Sequence, residues 1–528
     1  MPELLNIGTS TLMAYQKALA TTGHNIANVN TEGYSRQTLT FDARAPSLGE
    51  GGYVGSGVEV STVARAYDSF LAEDLRANHS SFHHLDTFTE MTKQLEDLLA
   101  DSDRGVTAQL ANFFAAIQDL SNNPSSVPER QAMLGEAKAL ARQIREIDSA
   151  FETLNSRIND QLQGLQLQVN SLAEGLANIN AEIEAARARG AGQPPNDLLD
   201  ARDRLLKELS EHTGIVSTFQ DGGMVNVTVG AGQILVVGPA YQSFSLSQGQ
   251  YDPLSLDLNV RALDGSKVPI TDTLTGGKMY GLLRFREEVL EPARQELGLL
   301  AVGITETFNA QHQLGLDLAG AAGGKFFTSI EPIVAGSSTN GGTAVATATI
   351  ADASTLQPTD YRLQWNGATW TLTNLSTNES QNAANGVFNA EGLAIAVGGG
   401  AAEVGDSFLI RPHFRAASAM DVAANQPSDI AAAAPLVLAA NVANKGSAEV
   451  AELSSASMDN IPLANGITLT YQNNVDGLNP GFVVTGGPGG VILFDPANEG
   501  DGKTFTFENF GNASFTVSGI PEDGDTAL

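Results

Sequence analysis

The feature that most constrains the fold is a run of apolar residues between positions 140 and 183 that recurs at steps of four and three. This spacing is typical of a long helix that packs one apolar stripe against other helices. Only Leu154, Ile158 and Leu162 are separated by two consecutive fours, a stutter that locally unwinds a supercoil. One continuous helix over this run would be on the order of 65 Å long. The run comprises Leu140, Ile144, Ile147, Phe151, Leu154, Ile158, Leu162, Leu165, Val169, Leu172, Leu176, Ile179 and Ile183.

A second heptad pattern stands at the N-terminus. Leu5, Leu12, Leu19 and Ile26 are spaced by seven, and Tyr15 follows Leu12 by three positions. The pattern predicts one helix of about 25 residues. Its apolar seam is too narrow to form a globular core by itself, so we expect it to need a partner helix. The alternative is a helix that lies on its own domain.

Further helical patterns flank the long run and predict, together with it, a long antiparallel helical rod. Asn196 and Asp197 are expected to cap the helix that follows the tight reversal at residues 190–195. The helical segments begin near Arg65, near Leu110, at residues 126–129, at Asn196 and at Tyr280, and the last ends near Gln313.

The apolar period changes to two between residues 213 and 275, which predicts β-strands separated by glycines. Residues 329–411 are rich in Gly, Ser, Thr, Ala and Asn and contain several short strand patterns, so they predict a β domain. An Ala-rich stretch follows, and a second β segment begins near Ala448.

These patterns predict an α+β multidomain fold, an elongated helical rod of long antiparallel helices with inserted antiparallel β domains. The predicted segments are an N-terminal assembly helix and turn (1–60), a long helical rod (61–212), a β excursion (213–276), the return helix of the rod (277–328), a β domain (329–415), an Ala-rich connection (416–447) and a second β segment (448–528).

The two β segments resemble each other. Residues 393–410 and 515–528 both give a strand, a glycine-containing turn, Gly-Asp and a second strand. The second copy stops at Leu528, early in the equivalent strand. A domain rarely ends inside a strand, so we expect the chain to be truncated at its C-terminus.

The charge balance excludes several classes of partner. Acidic residues number 60 against 29 basic ones, for a net charge of -31, which argues against nucleic-acid binding and against docking on an anionic membrane. The chain contains no cysteine, so disulfides, thiolate catalysis and cysteine metal sites are absent. Its first residues lack the basic and apolar regions of a cleaved signal peptide.

Motifs for catalysis are missing from the sequence. There is no Gly-x-Ser-x-Gly elbow and no phosphate-binding Gly-x-x-x-x-Gly-Lys loop. His79 and His83 are one helical turn apart, with His84 and Asp86 nearby, and this spacing can hold zinc. Ser80 stands where the His-Glu-x-x-His motif requires glutamate. We therefore favour a solvated helix face and predict no metal, no cofactor and no enzymatic activity.

Residues 25–37, Asn-Ile-Ala-Asn-Val-Asn-Thr-Glu-Gly-Tyr-Ser-Arg-Gln, predict a helix end followed by a turn. Asn28, Asn30 and Gly33 favour left-handed or Asx-turn conformations, and Tyr34 begins an extended piece. No general base and nucleophile are paired there, so the segment is predicted to be structural. We call residues 25–37 the signature turn; the residues singled out are Asn25, Asn28, Asn30, Thr31, Gly33, Tyr34, Arg36 and Gln37.

The signature turn resembles the shared N-terminal signature of bacterial flagellar rod, hook and hook-associated proteins. Three later blocks, residues 196–210, 276–327 and 411–434, are similar to the flagellar hook-associated protein 1 family. Rod and hook proteins lack the long helical section. The resemblance implies a structural junction subunit between hook and filament, on the outside of the cell. It also implies export through the flagellar type III apparatus without a cleaved signal.

The resemblance further implies partners. These are further copies of the chain in a ring of about eleven subunits, the hook protein, hook-associated protein 3 and an export chaperone that binds a C-terminal helix. The seam residues Leu5, Leu12, Tyr15, Leu19 and Ile26 would then form an assembly interface that orders only when neighbours bury it.

The sequence departs from this family in one respect, because no amphipathic terminal helix precedes Leu528. We therefore expect the chain as given not to assemble. Two alternatives remain open: another flagellar axial subunit of the hook or rod, or a secreted adhesin or enzyme on a flagellar scaffold.

Overall fold

The computed structural model describes residues 2–49, 52–100, 105–190, 192–262, 265–437, 439–458, 466–486, 489–508 and 510–527. Its long helices and antiparallel sheets confirm the predicted α+β class. Within these ranges, none of the helices has both the length and the apolar character that crossing a membrane requires.

The N-terminal heptad pattern forms α1, Pro2–Ala27, as predicted. Four strands follow: β1 (Gln37–Ala43), β2 (Ser47–Gly49), β3 (Gly52–Val54) and β4 (Val58–Arg65). β1 pairs antiparallel with β4, and α1 packs on this pair. Gly57 has φ +94°, and a Cβ there would collide with Ser10, so glycine permits the close approach of the helix. The predicted segment boundary at 60/61 falls inside β4.

The helical section contains α2 (Ser69–Leu99), α3 (Val106–Asn122), α4 (Val127–Arg189) and α5 (Asn196–His212). The long heptad run is confirmed as part of one helix, α4, of 63 residues. The predicted cap of α5 is wrong. Asn196 is already helical, and its side-chain amide donates to the carbonyl of Val63 in β4 at 2.7 Å instead of capping the helix.

The β excursion forms two sheets, as its period of two predicts. Their strands are β5 (Ile215–Phe219), β6 (Val225–Val229), β7 (Gln233–Val237) and β8 (Ala240–Tyr241) in one sheet, and β9 (Ser243–Gln248), β10 (Leu256–Arg261) and β11 (Lys267–Pro269) in the other. Amide side chains of α4 hold both sheets. Asn170 exchanges two hydrogen bonds with the backbone of Phe244. The fully buried Asn180 does the same with Val225 and also donates to the carbonyl of Gly238.

The chain returns to helix in α6 (Gly277–Phe285) and α7 (Glu291–Gln313), with a π-helical turn at Arg286–Leu290 between them. The apolar pattern predicts the helix but not the π turn, because one extra residue in a turn barely disturbs the stripe. The buried guanidinium of Arg286 donates to the carbonyl of Leu256.

The remaining strands form two groups. The first is β12 (Ile333–Gly336), β13 (Val345–Ile350), β14 (Tyr361–Trp365), β15 (Trp370–Asn374), β16 (Ser380–Ala383), β17 (Val387–Ala390), β18 (Leu393–Gly398) and β19 (Ser407–Arg411). After the short helix α8 (Ala416–Ala419), the second is β20 (Glu449–Ser454), β21 (Thr468–Gln472), β22 (Gly481–Thr485), β23 (Gly490–Leu493), β24 (Lys503–Phe507), β25 (Ala513–Ser518) and β26 (Thr526–Ala527), with α9 (Pro496–Glu499) inserted.

The predicted repeat is confirmed by the topology of the two groups. Strand order is β19-β14-β15-β16 with β13-β18-β17 in the first group. It is β26-β21-β22-β23 with β20-β25-β24 in the second. These orders are the same when strands are matched along the chain, and β12 is an addition at the edge of the first group. The two groups are therefore two copies of one β module.

Each module is closed by the same pair of polar side chains, which we call the Asn–Asp clamp. Asn340 exchanges hydrogen bonds of 2.8 and 2.9 Å with the backbone of the residue after Asp406. Asn444 makes the same two bonds, with the same lengths, to the residue after Asp525. The two carboxylates accept backbone N–H groups from the loop that contains the asparagine. The sequence shows the Gly-Asp half of the clamp, whereas the asparagine lies more than 60 positions away.

The chain divides into two compact units, one formed by Met1–Leu98 and Phe151–Pro292, the other by Leu99–Ala150 and Ala293–Leu528. The helical core of the second unit is built around clustered rings of Phe113, Phe308, Phe326 and Phe327. A buried ion pair, Asp148–Arg294 at 3.2 Å, joins α4 to α7 in the same unit.

Candidate functional site: the N-terminal helix and the signature turn

The predicted assembly seam lies on the outside of α1. Its five side chains, Leu5, Leu12, Tyr15, Leu19 and Ile26, are each between 61 and 73 % exposed. The opposite stripe of α1 contacts the β1–β4 pair and is made of small and polar residues such as Ser10, Ala14 and Ala18. The helix therefore lies on its own domain through one face, while its apolar face stays mostly exposed; at the edge of that face the ring of Tyr15 contacts Phe41 of β1 at a centroid distance of 5.9 Å. The alternative interpretation, a helix that lies on its own domain, is therefore confirmed for one face of α1, and the partner helix for the other face stays a prediction.

Asn25 organises the signature turn at the point where α1 meets β1. Its side-chain nitrogen donates to the carbonyl of Gln37 at 2.9 Å, and its side-chain oxygen accepts the backbone N–H of Gln37 at 2.9 Å. The same oxygen accepts the hydroxyl of Tyr34 at 2.7 Å. Asn25 thus imitates a paired strand residue and fixes the first residue of β1 to the last turn of α1. We call these three hydrogen bonds the Asn25 clasp.

The rest of the turn is held by local bonds. The Asn28 side chain donates to the carbonyl of His24 at 3.0 Å and accepts the hydroxyl of Thr31 at 3.2 Å. Gly33 has φ +77° and lies against the side chain of Arg204. The predicted left-handed conformation is confirmed at Gly33. For Asn28 and Asn30 the prediction was a left-handed or an Asx-turn conformation; neither residue has a positive φ, and the side-chain oxygen of Asn28 accepts the hydroxyl of Thr31.

The turn is docked on the start of α5 by two aspartates. Asp200 accepts the backbone N–H of Ser35 at 2.9 Å, and Asp197 accepts the side-chain amide of Gln37 at 2.9 Å. Arg65, at the end of β4, donates to Asp200 at 2.8 Å. Burial, followed by the nearby charges of Asp197 and Asp200, raises the pKa of the Tyr34 hydroxyl, which therefore stays a hydrogen-bond donor.

Sequence analysis did not place Arg65, Asp197 or Asp200 in this site. The two aspartates lie in the 196–210 block, which is rich in charged residues, but nothing in the sequence indicates that Arg65 and the signature turn face them. Docking on α5 depends on tertiary contacts over more than 130 positions.

Two members of the signature turn face outward. The side chains of Asn30 and Arg36 are exposed and have no hydrogen-bond partner within the described residues. Arg36 is the charged residue among those that line an open groove of about 900 Å³ between α1 and β1, together with Ile26, Val29 and Phe41. The signature turn therefore has an inner half that holds the local fold and an outer half that is exposed.

The interpretation of His79 and His83 as a solvated helix face is wrong. Both side chains are half-buried and face Glu211 near the end of α5. The sequence could not show this, because Glu211 is far away along the chain.

Comparison with protein-family models gives three matches. Residues 92–327 match the flagellar hook-associated protein FlgK helical domain, and residues 335–412 match the D2-like domain of flagellar hook-associated protein 1. Residues 5–34, which include most of α1 and the first part of the signature turn, match the flagella basal body rod protein model.

Whole-chain comparisons agree with these matches. Flagellar hook-associated protein 1 of Salmonella typhimurium is 34 % identical over 81 % of this chain and 78 % of that protein. The Escherichia coli K12 protein of the same name is also 34 % identical, over 80 % of this chain and 78 % of its own length. The solved structure of the flagellar hook junction protein FlgK from Burkholderia pseudomallei superimposes with a TM-score of 0.77 at 27 % identity, covering 86 % of each chain.

Proposed function

This chain belongs to the flagellar hook-associated protein 1 family and is a structural protein of the hook–filament junction, and we propose that the outward seam of α1 is one of the surfaces through which this protein contacts its neighbours there. Membership of the family places it on the flagellum outside the cell and implies assembly with other flagellar components. The observation that carries the proposal is the exposure of all five seam side chains on a helix whose other face is already packed.

The physical reason is the cost of leaving the seam in water. Burying apolar surface stabilises by about 25 cal/mol per Å², so a seam of five large side chains provides several kcal/mol once a neighbour covers it. A single amphipathic helix is marginal in water. We therefore propose that α1 becomes fully protected only in the assembled junction, and that hydrogen exchange along α1 slows on incorporation.

The groove beside the seam adds specificity. Arg36 is an exposed cation on a chain whose net charge is -31, so a neighbouring copy presents an abundance of carboxylates to it. We propose that the seam and Arg36 contact other subunits, namely further copies in a ring of about eleven, the hook protein and hook-associated protein 3. Export through the flagellar type III apparatus, assisted by a chaperone, and the lack of catalytic activity belong to the same proposal.

The test is a double substitution, Leu12→Asp with Leu19→Asp, introduced into the gene in the source organism. We expect hooks without filaments in electron micrographs, with the variant chain recovered from the culture medium. Val442→Asp is the matched control, since Val442 is a fully exposed apolar residue outside the seam. Normal filaments on the double variant would contradict the proposal, whereas loss of the variant from the medium would point to a defect in export or folding.

A further inference from the structure

Three of the seven histidines of the chain, His79, His83 and His212, lie around one contact between α2 and α5. His79 and His83 are on consecutive turns of α2 and present their rings to the same side. Glu211 faces them from the last turn of α5, and His212 follows it. This concentration is unusual in a chain with so few histidines.

The distances bring three ligand atoms together. Nδ1 of His79 is 3.7 Å from one carboxylate oxygen of Glu211, and Nε2 of His83 is 3.9 Å from the other. The two imidazole centroids are 4.7 Å apart, and all three ligand atoms lie within 4.8 Å of one another. A tetrahedral zinc ion with bonds of about 2.0–2.1 Å separates its ligand atoms by about 3.3 Å. Small side-chain rotations therefore suffice to close the set around one ion.

The burial of the three groups also suits a ligand. The side chains of His79, His83 and Glu211 are only 26, 18 and 26 % exposed. Nδ1 of His79, which faces the carboxylate, is buried and has no hydrogen-bond partner within the described chain. Distances of 3.7 and 3.9 Å are too long for hydrogen bonds. The cluster thus holds one buried ring nitrogen, Nδ1 of His79, that no hydrogen bond within the described residues satisfies.

We propose that His79, His83 and Glu211 form a binding site for a divalent transition metal of the zinc type, which joins α2 to α5. Two imidazole nitrogens and one carboxylate are a ligand set that zinc, cobalt and nickel accept, with water completing the coordination. The i, i+4 spacing on α2 fixes two ligands on a rigid element, and α5 supplies the third. The site would be structural, since it ties together the helix on which the signature turn docks.

One charge opposes the metal. Lys278, at the start of α6, is close enough to act electrostatically on His83. Replacing it by methionine removes that repulsion while keeping the aliphatic stem. Lys278→Met is therefore expected to bind the metal more tightly than the unmodified chain. A cluster that does not bind metal would show no such change.

The experiment measures zinc bound to the dialysed full chain by elemental analysis and calorimetry, with Co²⁺ absorption as a report on coordination. We expect about one zinc per chain, and affinity lower by about tenfold or more in His83→Ala and in Glu211→Gln. His84→Ala is the matched control, because His84 lies on the same helix with its ring against Tyr280, outside the ligand set.

Equal zinc binding by the unmodified chain and by His83→Ala would overturn the proposal, as would no binding at all. A zinc-dependent rise in the melting temperature of the unmodified chain supports it independently of whether any variant folds. These readouts are separate from filament assembly, so failure of the metal site leaves the junction function untouched.

Discussion

At the scale of single residues, Asn25 shows how one side chain fixes the geometry of the signature turn. It uses its oxygen as an acceptor twice and its nitrogen as a donor once. Aspartate has nearly the same shape but no donor, and its second oxygen would face the carbonyl of Gln37. We expect Asn25→Asp to destabilise the turn by about 1–3 kcal/mol. The measurement is hydrogen exchange at the Gln37 amide, which should lose protection.

The control for this prediction is Asn30→Asp, five positions further along the same turn. Asn30 is exposed and its side chain has no hydrogen bond within the described residues, so the Gln37 amide should keep its protection. Unchanged exchange in Asn25→Asp would show that the clasp does not hold the turn, and that docking on α5 suffices.

His413 is a second residue whose surroundings predict a measurable effect. It is 1 % exposed, neither ring nitrogen has a hydrogen-bond partner among the residues that the structure describes, and burial lowers its pKa to about 4. The unfolded chain binds a proton near pH 6.5, so the folded state is favoured above that pH and loses stability as the pH falls toward 4. The loss at pH 5 should be about 2 kcal/mol.

The measurement is denaturant unfolding at pH 7 and pH 5 for the unmodified chain and for His413→Leu. Carboxylates contribute equally to the pH dependence of the free energy of unfolding in both proteins. The difference between the two pH dependences therefore gives the contribution of the His413 imidazole alone. We expect the leucine variant to lose about 2 kcal/mol less on acidification. Parallel pH dependences would show that His413 is protonated in the folded state near its ordinary pKa.

At the scale of elements, the Asn–Asp clamp explains why the two β modules close alike. Asn340 and Asn444 each both donate to and accept from the backbone at the start of the last strand of their module. Asparagine-to-aspartate changes remove the donor and place a second carboxylate beside Asp406 or Asp525. We expect Asn340→Asp and Asn444→Asp each to destabilise its own module by about 1–3 kcal/mol.

Limited proteolysis with mass mapping distinguishes the two modules. Asn340→Asp should expose cleavage sites between residues 333 and 411, and Asn444→Asp between 449 and 527. Asn385→Asp provides a control, since Asn385 is an exposed asparagine of the first module that does not bond the last strand. If both clamp variants resisted cleavage as well as the Asn385→Asp control does, strand pairing alone would be enough to hold each β module together.

The same elements show how far the sequence predicts the fold. The heptad runs predicted α1 and α4 because helical periodicity is a local property, and the Gly-Asp turns predicted the repeat. The sequence did not reveal contacts between residues that are far apart along the chain. These are the hydrogen bonds of Asn340 and Asn444 to the last strand of each module, those of Asp197 and Asp200 to the signature turn, and the approach of Glu211 to His79 and His83. Asn180 is a polar residue that is fully buried on the apolar stripe of α4, so it interrupts the heptad pattern. It is placed there because its side chain forms hydrogen bonds with the backbone of Val225 in β6.

At the scale of the whole molecule, the net charge and the exposed apolar seam have opposite effects on association between copies of the chain. The net charge of -31 makes copies of the chain repel, over about 30 Å at 0.01 M salt but only about 10 Å at 0.1 M. The exposed seam favours contact at short range. We therefore expect a monomer at low salt, with an intermolecular repulsion that decreases as salt is added. Static light scattering measures this as a second virial coefficient that falls with ionic strength.

The seam variant separates the two contributions. Leu12→Asp with Leu19→Asp adds negative charge and removes apolar surface, so its virial coefficient should stay higher than that of the unmodified chain even where salt screens the charge. A virial coefficient that rises with salt would mean that attractive ion pairs, such as one made by Arg36, dominate the encounter. Because apolar attraction survives screening and ion pairing does not, the salt dependence identifies which interaction brings two copies together.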